Sequence, residues 1–431
     1  MKISNQLSVL GLCLVSSHLL ANGLQINEQS VSSQGKAYSG RASDVQDASV
    51  VYGNPAGMSK LAGEHVSGGV SLIDVRTHIG SVDTSVAGTS RGDMVPNPIV
   101  VPSGFYTLQL DRDWHVGFGI YVPFGGVTDY EGSFQGRYRS SRTEVKVMTL
   151  QPTVSYRVSD RLSVGGGPTI NRIEGVLASK IDNQAVGGQG DGTVKVTGDD
   201  TALGFNLGIL FDPFDELTLG LAYHSKVDFT LKGKTKVSGA NGLLGAIPAL
   251  GLPGINGKYD ASLDFSTPET VDASATWRVN DRLDFSAGAL WSRWSRLSEL
   301  NVRNAGVPRT YAAFDTIDET LKWRDTWSFS TGLSYRLDKQ WKIRTGIAYE
   351  PTPMPNQYAS TRVPTGDRKI FTLGLNWQAT EQTSLDLGYG YIHEDRVKVS
   401  QPATQGGLRP DYSATFQSRI NGIGLQLNHG F

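Results

Sequence analysis

Apolar and polar residues alternate with a period of two through most of this chain. Trp114, Val116, Phe118, Ile120 and Val122 share one face of a segment whose other face carries His115, Gly117, Gly119 and Tyr121. Met148, Leu150, Val154 and Tyr156 oppose Thr149, Gln151, Thr153 and Ser155, and Trp327, Phe329, Leu333 and Tyr335 oppose Ser328, Ser330, Gly332 and Ser334. Leu385, Leu387, Tyr389 and Tyr391 repeat the pattern near the C-terminus. This period predicts strands with one apolar and one small or polar face. Short polar turns punctuate them: Leu110–Asp113, Val158–Arg161, Asp212–Glu216, Val279–Arg282, Leu337–Gln340 and Ala379–Gln382. Successive turns lie about 40 to 70 residues apart, room for two strands of ~9–11 residues and one long loop. Short turns alternating with long loops are the mark of an outer-membrane barrel. Those turns join twelve strands, and one more at each end makes about fourteen, with both termini on the short-turn side. The fold class expected is all-β, a transmembrane antiparallel β-barrel.

Aromatic residues sit beside the short turns on the apolar face: Trp114, Tyr156, Trp277, Tyr335, Trp341 and Trp377. Such rings favour the headgroup level, so they read as the periplasmic girdle. A β-sandwich with aromatic core positions is the alternative. It gives no reason to keep aromatics at one end of every strand pair. The last strand, about Arg419–Phe431, places Ile423, Leu425, Leu427 and Phe431 on one face. Backbone groups in lipid must all be paired, so this strand must close on the first. Pro351, Pro353, Pro355 and Pro364 fall in one expected loop, where they break no ladder.

Composition narrows the function. The net charge is −1, so there is no basic footprint for nucleic acid. Residues 1–21 read as a signal peptide, with Lys2, an apolar Leu7–Val15 stretch and a Leu19-Leu20-Ala21 cleavage site. The single cysteine, Cys13, lies within it, so no disulfide framework is expected. The histidines show no metal-ligand spacing such as HExxH, and no Ser–His pair is arranged as a nucleophile. No catalytic residue, metal or cofactor is therefore expected. Asp191, Asp199 and Asp200 read as solvated loop acids or a calcium site.

Residues 22–64 precede the first strand, with residues 65–431 as the barrel. This leader is too long and too rich in small residues for a simple extension, and a plug within the lumen is the economical reading. Here a resemblance appears. Leu24-Gln-Ile-Asn-Glu28, Ala37-Tyr-Ser-Gly40 and Asn54-Pro-Ala-Gly57 resemble the hatch of FadL-type outer-membrane transporters of long-chain fatty acids and other hydrophobic compounds. Pro123-Phe-Gly125, Gly136-Arg-Tyr138, Pro268-Glu269, Trp323-Arg-Asp325, Arg344-Thr-Gly346, Asp367-Arg368 and the closing Phe431 extend the likeness over the mature chain. It implies a fourteen-stranded barrel with an N-terminal hatch and passive uptake. Ligand would be captured at surface loops, held in an apolar pocket, and released sideways at a kinked third strand. The resemblance assigns Asn54, Pro55 and Ala56 to the hatch contact with that kink. Gly117 and Gly119 would either permit the kink or make room for the plug. It also makes Phe431 the signal read by the barrel assembly machinery, in a chain expected to be monomeric among outer-membrane lipid and lipopolysaccharide.

Two features point to ligand contacts. The stretch Lys232–Asp260 holds Leu243, Leu244, Ile247, Leu250, Leu252 and Ile255. Apolar runs in surface loops mark binding surfaces, unless they pack on neighbouring loops or lipopolysaccharide. The other expected wall of a capture groove, Gly175–Thr201, is polar and rich in Gly and Asp. A fatty acid also needs a cation in its pocket, since a buried carboxylate is costly alone. Arg324 matches the family position that meets the carboxylate, and strand parity points it inward. It could equally pair with lumen acids. Arg157, Arg278, Arg336, Lys342 and Arg344 with Asp284, Glu350 and Asp386 read as a structural charge network. A monoaromatic hydrocarbon channel, a general porin and a surface lipid hydrolase are the rival functions.

Overall fold

A computed structural model describes residues 23–246, 251, 253–404 and 409–431, so the expected signal peptide lies outside the described residues. Antiparallel pairing closes fourteen spans into a barrel. They are β1 (Glu64–Asp83), β2 (Ile99–Gln109), β3 (Trp114–Asp129), β4 (Arg142–Ser159), β5 (Leu162–Asp182) and β6 (Asp191–Phe214). Four interrupted spans follow: β7 (Leu217–His224 and Val227–Ser238), β8 (Gly257–Thr267 and Thr270–Arg278), β9 (Leu283–Ser292 and Glu299–Ala305) and β10 (Thr316–Thr320 and Thr326–Arg336). The circuit ends with β11 (Trp341–Glu350), β12 (Arg368–Gln378), β13 (Thr383–Glu394 and Val397–Gln401) and β14 (Tyr412–Gly430). β14 pairs with β1 from His65↔Gly430 upward, which closes the circuit. All the expected short turns join neighbouring spans.

The alternation settles which face meets lipid. Leu203, Phe205, Leu207, Ile209 and Phe211 stand exposed along β6, while Asn206 and Leu210 between them are buried. Trp114, Tyr156, Trp277, Tyr335 and Trp377 are exposed, with Trp114 on Tyr156 at 4.7 Å and Trp341 on Trp377 at 6.0 Å. β5 and β6 continue far beyond the bilayer. The supposed loop Gly175–Thr201 is therefore mostly a two-stranded extension, with only residues 183–190 as its tip. Likewise Lys232–Ser238 and Gly257–Asp260 are strand. Alternation there continues as Val194, Val196 and Val237 inward, which keeps the ladder registered above the lipid.

Most of residues 23–61 lie buried against the inward faces of the strands. Polar side chains of the wall bond backbone groups of this segment at several points round the barrel. Val31 N donates to Gln426 Oε1 (2.9 Å), Ala37 N to Thr372 Oγ1 (2.8 Å), Ala42 N to Ser274 Oγ (3.0 Å) and Ala48 N to Ser67 Oγ (3.1 Å). Such bonds stand in for the missing ladder where this non-sheet segment is buried. The Ala37-Tyr38-Ser39-Gly40 motif makes a tight reversal. Ala37 and Tyr38 adopt left-handed φ values of 51° and 61°, and Gly40 one of 73°. A Cβ on Gly40 would meet Ser286 Oγ and Thr276 Oγ1 at 2.9 Å, so the wall approaches too closely for a side chain.

Candidate functional site

The upper wall is interrupted along one line, at residues 225–226, 268–269, 293–298 and 321–325 of β7 to β10. Glu269 ties the second gap to the third, accepting from Arg293 Nη1 at 3.0 Å and Arg296 Nη2 at 2.8 Å. Backbone groups freed from the ladder are paired again. Arg293 N donates to Glu269 O (3.0 Å), Leu321 N to Ser298 O (2.9 Å) and Trp323 N to Leu297 O (3.2 Å). Released from strict alternation, Trp294, Leu297, Leu321 and Trp323 are buried in the main apolar cluster of the lumen. The two indoles meet edge to face at 5.2 Å, and Phe124 meets Trp294 at 6.1 Å.

Beside these residues lies an apolar pocket of about 850 Å³. Val127, Val145, Ile173, Leu177, Val196, Leu231, Leu263 and Phe265 form its walls, and Leu24 closes it from the N-terminal segment. One rung of the barrel beside it carries only small residues. Gly175↔Gly198↔Gly233↔Ala261 are successive cross-strand partners in β5 to β8, and all line the pocket. Arg362 and Glu144 are the charged lining residues. Arg362 Nε donates to Glu319 Oε2 at 2.5 Å, and Arg142 holds Glu144 at 2.6 Å. The indole Nε1 atoms of Trp294 and Trp323 are buried and have no acceptor. Such an unmade hydrogen bond costs about 1–3 kcal/mol.

Loops close the mouth. Tyr130 stacks on Phe134 at 3.8 Å and its hydroxyl donates to Thr361 O at 2.6 Å. Arg137 Nε and Tyr138 Oη each donate to Asp191 at 2.7 Å. Burial, then the bond to this carboxylate, pushes the Tyr138 phenol up to about 12. Arg139 donates to the carbonyl of Pro410 at 3.0 Å. Burial, then the nearby Arg409, lowers its guanidinium to about 10.

Below the pocket lies a more polar chamber of about 440 Å³, lined by Tyr52, Tyr121, Asn171, Asn206 and His224, beside Pro123 and Phe124. Here β3 is irregular: its register with β4 shifts between Tyr121 and Phe124. β2 and β3 pair only from Gly104↔Ile120 to Gln109↔His115. Above that, the N-terminal segment stands beside β3 in place of β2. Ile26 N donates to Pro123 O and Gly125 N to Leu24 O, both at 2.8 Å, and Gln29 Nε2 donates to Val122 O at 2.6 Å.

Several expected site residues stand elsewhere. Arg324 is exposed, its amide donating to Pro353 O at 2.9 Å, and it does not line the pocket. The gap at 321–325, with Lys322 at φ 45°, breaks the parity that would turn it inward, and Trp323 takes the inward place. Asn54 sits at β6 rather than at the kink: its Nδ2 donates to Ile209 O (2.9 Å) and Ala42 O (2.7 Å). Pro55 and Ala56 press on Gly165 of β5, where a Cβ would come within 2.6 Å of both. Gly117 and Gly119 lie in unbroken ladder below the irregularity. A Cβ on Gly117 would meet Met58 Sδ at 2.5 Å, and one on Gly119 would meet Val51 Cγ1 at 3.1 Å, so both glycines make room for the N-terminal segment. Leu244 is buried in a small cluster with Ile181, Val194, Val237, Ile255, Tyr259 and Tyr311, whereas Leu243 is exposed. Ile247, Leu250 and Leu252 lie outside the described residues. Of the charge network, Arg344 pairs with Asp386 at 2.5 Å, Lys342 donates to Gln46 at 2.8 Å and Glu350 accepts from Asn27 at 2.7 Å. Trp294, Trp323 and the glycine rung are the features that parity counting misses. The irregular pieces Pro268-Glu269 and Trp323-Arg-Asp325 were the available signal.

The same architecture recurs among known proteins. The profile of the family described as "Outer membrane protein transport protein (OMPP1/FadL/TodX)" matches residues 12–431. The chain is 27% identical to "Outer membrane protein P1" of Haemophilus influenzae, over 100% of both chains. It is also 27% identical to the "Long-chain fatty acid transport protein" of Escherichia coli O6:H1, covering 97% of this chain and 96% of that one. A Pseudomonas aeruginosa FadL homologue of solved structure shares the fold, with a TM-score of 0.82, 24% identity, and coverage of 95% of this chain and 100% of that one. The Pseudomonas putida toluene transporter TodX superposes with a TM-score of 0.67 at 17% identity, covering 95% and 99%. With its closed barrel and a match over nearly its whole length, the chain belongs to the OMPP1/FadL/TodX family of outer-membrane transport proteins.

Proposed function

We propose that this transporter takes up long-chain fatty acids by passive movement through its apolar pocket. The observation that carries the reading is an apolar space of about 850 Å³ beside two buried indole donors without acceptors. An alkyl tail would lie along the rung Gly175–Gly198–Gly233–Ala261. The carboxylate would accept from Trp323 Nε1, with Arg362 as the nearby cation, so neither end is left unpaired. The names of the fatty-acid-transporting relatives support the same ligand. Capture begins at the surface loops, with the exposed Leu243. Residues 24–29 act as a hatch that stands in for β2 beside β3, and their withdrawal opens a sideways exit at Tyr121–Phe124. The protein acts as a monomer, and Phe431, exposed after β14, serves as its assembly signal.

The test is binding of oleate and of toluene to purified, detergent-solubilised wild type, Trp323→Phe and Arg324→Ala. A hydrogen bond to a charged group contributes about 1.5–3 kcal/mol, so Trp323→Phe should weaken oleate by about tenfold or more. Arg324→Ala should leave oleate binding unchanged, and toluene should ignore both. Toluene binding without oleate binding would move the reading to aromatic hydrocarbon uptake. Binding of neither would sink it and favour a porin.

A further inference from the structure

The outer face of the barrel above the lipid carries rungs of charge, and one rung differs from the rest. Lower rungs are balanced: Arg172 with Asp199 (3.1 Å), Arg303 with Asp264 (2.6 Å), Lys234 with Asp260 (2.5 Å). On the next rung, Lys195 of β6 pairs directly with Lys236 of β7, which pairs directly with Lys258 of β8. All three are exposed, while Val194, Val196, Val237 and Tyr259 beside them are buried, so the lysines share the outer face. The nearest acid by register, Asp260, is already held by Lys234. Strands lie ~4.8 Å apart, so three ammonium groups are anchored across about 10 Å. Like charges directly opposite one another weaken a sheet. An anionic partner outside the barrel removes that penalty.

Height identifies the partner. Leu203 is the uppermost of the outward apolar series on β6. At about 3.3 Å per residue the strand climbs about 26 Å from Leu203 to Lys195, or roughly 20 Å above the hydrocarbon at a tilt of ~35–45°. The headgroup region of a bilayer is only about 5–8 Å deep on each side, so phospholipid phosphates do not reach the rung. The saccharide portion of lipopolysaccharide, which rises well above the acyl chains in the outer leaflet, does. Its phosphate groups are the complementary charge, and lysine serves phosphate as a point charge. We propose that Lys195, Lys236 and Lys258 form a binding site for the phosphorylated core saccharide of lipopolysaccharide.

The experiment titrates detergent-solubilised protein with lipopolysaccharide, before and after enzymatic dephosphorylation. It compares wild type, the K195Q/K236Q/K258Q triple variant, the corresponding Lys→Arg triple, and a K369Q/K398Q control on β12 and β13. Heat-modifiable migration confirms that each variant is folded. The Gln triple should bind intact lipopolysaccharide at least tenfold more weakly. The Arg triple and the control should match wild type, and dephosphorylated lipopolysaccharide should bind wild type no better than the Gln triple. Unchanged binding in a folded Gln triple would overturn the site. So would equal binding of the dephosphorylated form, or lysine-dependent binding of vesicles of anionic phospholipid alone.

Discussion

The two halves of the lumen solve opposite problems with the same alternating strands. The lower half is filled. Most of residues 23–61 are buried there, and small inward residues of the wall let the segment approach closely. Its charges are matched within the protein: Lys36 with Asp44, Arg344 with Asp386, Arg368 with Glu394. The upper half keeps its space. A rung without large side chains is left unfilled, and apolar residues surround it. Small residues therefore accompany close packing below and line the ligand space above. What separates the cases is whether another part of the chain fills the gap.

That contrast can be broken from below with the largest effect. Arg344 and Asp386 have side chains only 2% exposed. Arg344→Leu strands a buried carboxylate, and stability should fall by roughly 3–5 kcal/mol, read by urea unfolding of the solubilised barrel. Gly346→Val comes next. A Cβ at this glycine would stand 2.2 Å from the Lys36 carbonyl carbon, which is backbone and cannot swing aside. Overpacking should cost about 1–3 kcal/mol and displace the segment, raising ion conductance in planar bilayers. Above, the same kind of enlargement should be tolerated. Ala261→Phe grows toward the pocket, so unfolding should move by less than the ~1–3 kcal/mol of overpacking while oleate binding drops more than tenfold. Arg324→Ala should do least: within about 0.5 kcal/mol in stability, as for an exposed residue without a special role.

The frame of this contrast is legible in sequence, and its active part is not. Turn spacing gives the number of spans, and alternation gives the lipid face, because period two is enforced wherever one face meets hydrocarbon. Gly117 and Gly119 were ambiguous until Met58 and Val51 were seen against them. Parity carried through Trp323-Arg324-Asp325 fails because β10 is interrupted there. A break of a few residues resets which side chains face inward, and nothing in local propensity reports it. The glycine rung is hidden for another reason: Gly175, Gly198 and Gly233 are far apart in sequence and become neighbours only through register. Asn54 carried a motif but not its contact, since its hydrogen bonds are set by β6.

The most direct measurement is a crystal structure with a fatty acid brominated at its methyl end, located by anomalous scattering. The bromine should lie among Ile173, Val196, Leu231 and Ala261, with the carboxylate within hydrogen-bond distance of Trp323 Nε1. A bromine found only in the chamber beside Tyr52 and His224, or only near Leu243, would contradict the upper pocket as the binding site.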